Sequence, residues 1–189
     1  MNLKPYELNH LSPSNFIAGW YIDPTLCDAI VETANATSAD KFERAEAPRS
    51  YNWIDMAKMN PELNNLYSQS LWWTIEHYKE MFPYCYIHLR KWGFTVPRFQ
   101  QYNPGDSYSA PHCENDGSIG CEFRHFAYMT YLNDIEDGGG TEFIHQNLIT
   151  NPKKGLTLIW PATWTHYHKG VVAPSETKNI ITGWCIFNI

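Results

Sequence analysis

The sequence predicts a mainly β fold with N-terminal helices: a double-sheet β barrel or jelly roll, buttressed by helices on one side. Aromatic residues make up 15% of the chain and charged residues only 18%, which favours a β-rich protein with a lined pocket over a helical bundle. Two helical patterns lie before residue 83, and short strand patterns separated by turn residues follow it. At 189 residues, the chain is expected to form one domain (1–189), with residues 1–83 as helical support and candidate lid and residues 84–189 as the β core.

The two helices are predicted from their capping residues. Asp23-Pro24 indicates a helix over residues 24–36, and Asn60-Pro61 indicates a second helix over residues 61–82. Asp and Asn side chains accept hydrogen bonds from the first free backbone N–H groups of a helix, and Pro is tolerated in its first turn. Apolar residues recur at helical spacing in both segments, so each helix is expected to bury one face.

The strands are predicted from alternating aromatic and β-branched runs bounded by turn residues. These runs cover residues 50–54, 84–89, 94–102, 124–132, 141–144, 148–150, 156–160, 165–172 and 178–187. The segment up to residue 19 is expected to be irregular. Residues 40–56 mix charges with aromatics and are expected to form either a lid or a surface loop.

Charge and hydropathy exclude several classes of partner. The net charge of −6 gives no electrostatic case for binding a nucleic-acid backbone. The N-terminus has no apolar signal-like stretch and no run of apolar residues is long enough to span a bilayer, so a soluble cytoplasmic protein without a membrane partner is expected. The five cysteines show no paired spacing and are expected to be free thiols. The sequence does not predict an oligomeric state.

The stretch from residue 102 to residue 114 contains the first candidate site. His112 and Glu114 are two residues apart, and on an extended backbone such side chains project to the same face. A second histidine, either His166 or His168, would complete a set of two imidazoles and one carboxylate, which leaves coordination positions open on non-haem Fe(II). Asp116 is the alternative carboxylate.

The last predicted strand contributes a cation to the same site. Lys178, Thr182 and Trp184 alternate onto one face of it, and the position of Lys178 ten residues after His168 favours His168 over His166 as the metal ligand. A buried ammonium is costly unless it meets an anion, so Lys178 is expected to hold a carboxylate. Arg98 alternates onto the face of Tyr102 and is a candidate for substrate contact.

Taken together and in order, these motifs resemble one known family. The matching segments are Tyr102, Gly105 and Tyr108 ahead of His112-Cys113-Glu114, then Tyr131-Leu132-Asn133, the run G-G-G-T-E-F at 138–143, His168, and residues 178–182. This set is similar to the Fe(II)/2-oxoglutarate oxygenases, and within them to the prolyl 4-hydroxylase branch. The resemblance covers residues 96–187. The chain departs from the family at Glu114, where an aspartate is usual, although the donor atom is still a carboxylate oxygen.

The resemblance implies that the core over residues 84–189 is a double-stranded β-helix, a cupin-like jelly roll, and it also implies the cofactors and the site residues. Iron would be held by His112, Glu114 and His168, which are also the catalytic residues. The cosubstrate 2-oxoglutarate would be held by Lys178 with Tyr102, Thr182 and Tyr131. Ascorbate is expected as a further cofactor. Substrate contacts are expected from Arg98, Tyr108 and Trp184.

The implied reaction is hydroxylation of an unactivated C–H, coupled to oxidative decarboxylation of 2-oxoglutarate to succinate and CO2. The expected substrate is a prolyl residue in a peptide or protein. Two alternatives are retained: an oxygenase of the same type acting on a free amino acid or small metabolite, and a cupin-like metal-binding module without oxygenase activity. The cupin-like alternative would use His112, His166 and His168 as ligands.

Overall fold

The computed structural model describes residues 4–5, 15–46, 49–86 and 92–187. The helices are α1 (Pro24–Ala36), α2 (Met56–Met59) and α3 (Pro61–Met81). The strands are β1 (Lys4–Pro5), β2 (Ala18–Tyr21), β3 (Glu43–Ala45), β4 (Tyr51–Asp55), β5 (Trp92–Phe94), β6 (Arg98–Tyr102), β7 (Arg124–Tyr131), β8 (Thr141–Phe143), β9 (Leu148–Ile149), β10 (Leu156–Pro161), β11 (His168–Gly170) and β12 (Lys178–Phe187).

Two antiparallel sheets form the β core. The larger sheet has the order β1-β2-β10-β7-β12-β6-β4-β3, with β5 paired to β12, and the smaller has the order β11-β8-β9. The prediction of a mainly β jelly roll with supporting helices is confirmed. The longest strand, β12, lies between β6 and β7, so its inward side chains reach the middle of the space between the sheets.

Side-chain alternation along the central strands separates two hydrophobic clusters. On β7, Phe126 and Tyr128 pack toward the helices, whereas Ala127, Met129 and Tyr131 face the smaller sheet. On β12, Ile181 and Cys185 face the helices, whereas Lys178, Ile180, Thr182 and Trp184 face the cavity. The helices therefore cover one face of the larger sheet, and its other face is left for a site.

Both long helices begin at the predicted caps. The Asp23 carboxylate accepts a hydrogen bond from the Thr25 N–H at 2.8 Å, and the Asn60 side chain accepts from Glu62 and Leu63. Helix α3 buries its apolar face against the sheet, where the Tyr67 hydroxyl lies 2.8 Å from the Thr130 hydroxyl of β7. This contact fixes the helix against the strand that runs beneath the cavity.

Several predicted boundaries were wrong. Residues 83–85 form a 3₁₀ turn instead of the strand predicted over 84–89, and residues 87–91 lie outside the described part of the chain. The run predicted over 94–102 is interrupted around Pro97, and β2 lies partly in the segment predicted to be irregular. The alternation pattern did not indicate β2, because three of its four residues are buried.

The segment 40–56 is not a simple surface loop, and its role as a lid stays a prediction. Its two strands β3 and β4 pair with each other, and β4 pairs with β6, so the hairpin extends the larger sheet. The segment 165–172 also differs from its prediction, because residues 164–166 form a 3₁₀ turn and only 168–170 are a strand.

Among the described residues, none of the helices combines the length and apolar character that a bilayer crossing requires.

Candidate active site

The two histidines of the candidate site are placed by a backbone pair. His112 and His168 face each other across an isolated antiparallel bridge, in which each N–H donates to the other carbonyl at 2.9 and 2.8 Å. Directly opposed residues of such a pair project to the same side. The imidazole centroids are consequently 4.3 Å apart, although the residues are far apart in sequence.

Both imidazole rings are oriented by backbone carbonyls. His112 Nδ1 lies 3.0 Å from the Ala110 oxygen, and His168 Nδ1 lies 2.8 Å from the His166 oxygen. A carbonyl only accepts, so both Nδ1 atoms carry the proton and both Nε2 atoms keep a free lone pair. Tyr108 stacks on the His112 ring at 4.1 Å and limits its rotation.

Glu114 brings its carboxylate between the two free nitrogens. Its Oε1 lies 3.5 Å from His112 Nε2 and 3.3 Å from His168 Nε2. Its backbone N–H donates to the Ala162 carbonyl, which ties the segment to the end of β10. Burial raises the pKa of this carboxyl group, but hydrogen bonds and charge from the imidazoles, when these carry a second proton on Nε2, lower it more, so the net pKa then lies well below the usual range.

The second oxygen of Glu114 is held from the opposite side. Trp184 Nε1 donates to Oε2 at 2.6 Å, and the Arg124 guanidinium lies 3.6 Å from the same oxygen. Arg124 also donates to the Glu114 carbonyl at 3.0 Å and stacks on the Trp184 ring. With Oε2 occupied, Oε1 is the oxygen presented to the imidazoles.

These three residues fit a divalent transition-metal ion. One donor atom from each lies within 4.8 Å of the others, and two neutral imidazoles with one carboxylate form the donor set used by non-haem Fe(II) sites with open positions. Asp116 is not part of the cluster. Its carboxylate is exposed and accepts hydrogen bonds from the Ser118 backbone and hydroxyl, so the structure presents Glu114 and not Asp116 to the histidines.

His166 is also separate from the cluster. The 3₁₀ turn directs its Nε2 to the Asn15 carbonyl at 2.7 Å, so the expectation that it shares a strand face with His168 was wrong. Only its backbone carbonyl serves the site, through His168 Nδ1. The ligand set His112, His166 and His168 of the cupin-like alternative is therefore not assembled.

A cavity of about 400 Å³ opens beside the cluster and is lined by both sheets. Lys178 lies at one end of it and is only 6% exposed. Among the described residues no carboxylate lies within ion-pairing distance of its ammonium, which instead faces the rings of Tyr102 at 5.2 Å and Tyr131 at 5.8 Å. Desolvation lowers its pKa to about 8. A buried ammonium with this environment fits a bound carboxylate.

The other predicted cosubstrate residues differ in their access to the cavity. Tyr102 lines it, with its hydroxyl donating to Gln100 at 2.8 Å, and Thr182 lines it while donating to the Tyr128 carbonyl. Tyr131 is fully buried, does not line the cavity, and has its hydroxyl within 3.0 Å of the hydroxyls of Thr141 and Thr150. Tyr131 therefore packs beneath Lys178 and supports this part of the cavity wall without contacting the cavity itself.

All three predicted substrate residues, Arg98, Tyr108 and Trp184, line the cavity. Sequence reasoning missed two further arginines there. Arg124 begins β7, and Arg49 lies 4.8 Å above the Tyr108 ring. Arg124 is a charged residue at the start of the alternating pattern of β7. This position could have predicted that its side chain lines the cavity.

The indole hydrogen bond to Glu114 leads to a testable expectation. Trp184→Phe keeps an aromatic ring but removes the N–H that holds Oε2, so Mn(II) affinity is expected to fall about tenfold, as for other partners of metal ligands. Titration calorimetry with Mn(II) and no cosubstrate measures this. Trp164→Phe, at an exposed tryptophan outside the cavity lining, is the matched control. Equal affinities for the wild type and Trp184→Phe would contradict the positioning role.

Fold and site together define a class: jelly-roll proteins that bind a metal ion through two histidines and one carboxylate. Residues 97–186 match the family model for the 2OG-Fe(II) oxygenase superfamily. Over these residues, slightly under half of the chain, the protein is similar to this superfamily, whose name specifies Fe(II) and 2-oxoglutarate as cofactor and cosubstrate.

Solved structures show a prolyl hydroxylase-like fold. A viral collagen prolyl hydroxylase from Paramecium bursaria Chlorella virus 1 has a TM-score of 0.68 and 18% identity, covering 92% of this chain and 97% of that one. A Pseudomonas putida prolyl-4-hydroxylase has a TM-score of 0.71 and 16% identity, covering 93% and 95%. A Trichoplax adhaerens prolyl hydroxylase, solved with a fragment of the hypoxia inducible factor oxygen degradation domain, has a TM-score of 0.66 and 15% identity, covering 92% and 84%. No curated protein matches the sequence.

Proposed function

We propose that this protein is an Fe(II)- and 2-oxoglutarate-dependent dioxygenase that hydroxylates a prolyl residue in a peptide or protein. The carrying observation is one cavity lined by His112, Glu114, His168 and Lys178, whose ammonium has no carboxylate partner among the described residues. The three ligands supply a site for Fe(II), and the ammonium supplies the charge for the distal carboxylate of 2-oxoglutarate. We also propose that residues 84–189 form the core that contains the site and that residues 1–83 support this core.

In this proposal the bound iron supplies activation of O2 for oxidative decarboxylation of 2-oxoglutarate and hydroxylation of a C–H. The residues of the chain do the positioning. Lys178, aided by Tyr102, fixes one end of the cosubstrate, and Thr182 lines the cavity toward the other end. Trp184 and Arg124 hold the Glu114 carboxylate in one orientation beside the two imidazoles, where these three residues would bind the iron.

A prolyl substrate is supported by the aromatic rim. Tyr51, Tyr108 and Trp184 all line the cavity, and Tyr51 stacks against Tyr108 with centroids 6.2 Å apart. Extended proline-containing peptides dock readily on aromatic-lined grooves, because their backbone loses little conformational freedom on binding. The prolyl hydroxylases of similar fold support the same assignment.

The test uses the whole chain reconstituted anaerobically with Fe(II) and then given O2, 2-oxoglutarate and capped prolyl peptides. Succinate that forms together with a peptide mass increase of one oxygen atom is the expected result. Hydroxylation of free amino acids alone would instead indicate the small-molecule alternative. Absence of 2-oxoglutarate binding in a thermal-shift experiment with Mn(II) would reject the assignment, because a ligand of the native state must raise its melting temperature. Ascorbate is added in parallel reactions, and its requirement stays a prediction.

A further inference from the structure

We propose that the substrate carries a carboxylate, recognised by Arg98 and Arg124 at the end of the cavity opposite to Lys178. This inference rests on the proposed function and specifies its substrate class. The carboxylate belongs either to an acidic residue beside the target in a peptide or to the free end of an amino acid. Both sources offer the same recognition chemistry.

The sheet topology places the two arginines on either side of one strand. β12 runs between β6 and β7, and its inward residues toward this end are Thr182 and Trp184. Arg98 on β6 is the cross-strand partner of Thr182, and the guanidinium of Arg124 on β7 lies 3.7 Å from the centroid of the Trp184 ring. The two arginines therefore line the same cavity from opposite sides of β12, Arg98 from β6 and Arg124 from β7.

Stacking leaves guanidinium hydrogen-bond donors available. Arg98 lies 3.9 Å from the centroid of the Trp53 ring and directs Nε to Asp55 at 3.4 Å, so its contacts among the described residues leave the two terminal amino groups free. Arg124 uses NH1 for the Glu114 carbonyl. A planar guanidinium has five N–H donors, and a carboxylate accepts two of them side by side. Both arginines therefore retain donors for a ligand.

The charge balance of the cavity differs from that of the chain. The net charge of the chain is −6, yet Arg49, Arg98, Arg124 and Lys178 all line this one cavity. Its carboxylates are Glu114, which faces the imidazoles and lies 3.6 Å from Arg124, and Asp116, whose Oδ1 accepts from Ser118. Asp55 pairs with Arg98 at 3.4 Å, so the four cations are only partly compensated, and a further anion is favoured.

The cosubstrate does not account for all of this charge. Lys178 and Thr182 are four residues apart on one strand face, a separation of about 13 Å. A 2-oxoglutarate held by Lys178 uses the ammonium at one end, and the arginine pair lies beside Thr182 and Trp184 at the other. A second anion is therefore the ligand that this end of the cavity fits.

The experiment measures binding to the complex with Mn(II) and saturating 2-oxoglutarate, using probe pairs that differ only in charge. One pair is a capped pentapeptide with proline between two aspartates and the same peptide with two asparagines. The other pair is L-proline and L-prolinamide. Tryptophan fluorescence is the readout, because Trp53 and Trp184 contact the two arginines.

The acid member of at least one pair is expected to bind about 10- to 100-fold more tightly than its amide. Arg98→Gln is expected to bring this ratio close to one without changing 2-oxoglutarate affinity. Lys79→Gln removes a positive charge from α3, outside the cavity lining, and is expected to leave the ratio unchanged. A preference in the peptide pair identifies an acidic peptide and keeps the proposed prolyl-peptide substrate. A preference in the proline pair alone identifies a free carboxylate and replaces that substrate with an amino acid.

Equal binding of acid and amide in both pairs, or no binding of any probe, overturns the inference. If 2-oxoglutarate still binds in that case, the proposed function stands and only the substrate class fails. If 2-oxoglutarate itself does not bind, the proposed function fails first. Retention of the wild-type ratio in Arg98→Gln would also overturn the inference, since the charge would then be recognised elsewhere.

Discussion

Replacing His168 with alanine is expected to lower Mn(II) and Fe(II) affinity by more than about 100-fold and to reduce hydroxylation to below about 1% of wild type. The loss of a partner of a metal ligand already costs 10- to 100-fold in affinity, and the loss of one of three ligands must cost more. His168 has no substitute nearby, since the His166 side chain is bonded to the Asn15 carbonyl. Calorimetric titration with Mn(II) and a succinate assay measure the two effects.

The matched control for this variant is His145→Ala. His145 is exposed and lies outside the cavity, so both readouts should stay at the wild-type values. A melting curve without metal tests whether His168→Ala still folds, which matters because its ring packs on Phe143 and Trp160. If a folded His168→Ala protein binds Mn(II) as tightly as wild type, the ligand assignment is wrong.

The cluster of His112, Glu114 and His168 shows which parts of a site can be predicted from a sequence. His112 and Glu114 could be paired because they are two residues apart, and alternation identified the inward face of β12 through Lys178. Both predictions rest on the spacing of residues within one short segment. The pairing of His112 with His168 depends instead on a single bridge between distant segments, and no local pattern encodes it. The position of Lys178 favoured His168 over His166, and the resemblance of the ordered motifs to a family supplied the complete ligand set.

The errors have the same physical origin. His166 was placed beside His168 because a run of residues 165–172 reads as a strand, but a 3₁₀ turn rotates its side chain away. The hydrogen bond from Trp184 to Glu114 and the stacking of Arg124 on Trp184 join three separate segments. Such contacts follow from tertiary packing, which a propensity or alternation argument does not contain.

Lys178→Met is expected to have opposite effects on stability and on cosubstrate binding. The methionine keeps the apolar stem but removes an ammonium that is buried without a carboxylate partner among the described residues. The folded-state pKa of about 8 lies below the ordinary value of 10.5, so the charged form is disfavoured in the fold. By linkage this penalises the free protein by roughly 3 kcal/mol at neutral pH. The variant should therefore be more stable than wild type without ligand, as measured by urea unfolding.

The pH dependence of the free energy of unfolding follows from the lowered pKa of Lys178. Between pH 8 and 10.5 the unfolded chain binds more protons at this lysine than the folded chain does. The free energy of unfolding of wild type, compared with that of Lys178→Met, should therefore rise with pH across this interval, while the full penalty applies below pH 8. Lys154→Met, at a lysine paired with Asp28 on the surface, should leave the pH profile of wild type unchanged.

Binding of 2-oxoglutarate should respond in the opposite direction. Loss of the charge-assisted contact in Lys178→Met is expected to weaken 2-oxoglutarate affinity about 100-fold in the presence of Mn(II), with Mn(II) affinity itself unchanged. Wild-type affinity should also decline above pH 8, because the dicarboxylate selects the ammonium form. A variant that is less stable than wild type at neutral pH and binds 2-oxoglutarate equally well would show that Lys178 is a structural residue. A more stable variant with weakened binding fits a buried charge whose cost is offset only when its anion is bound.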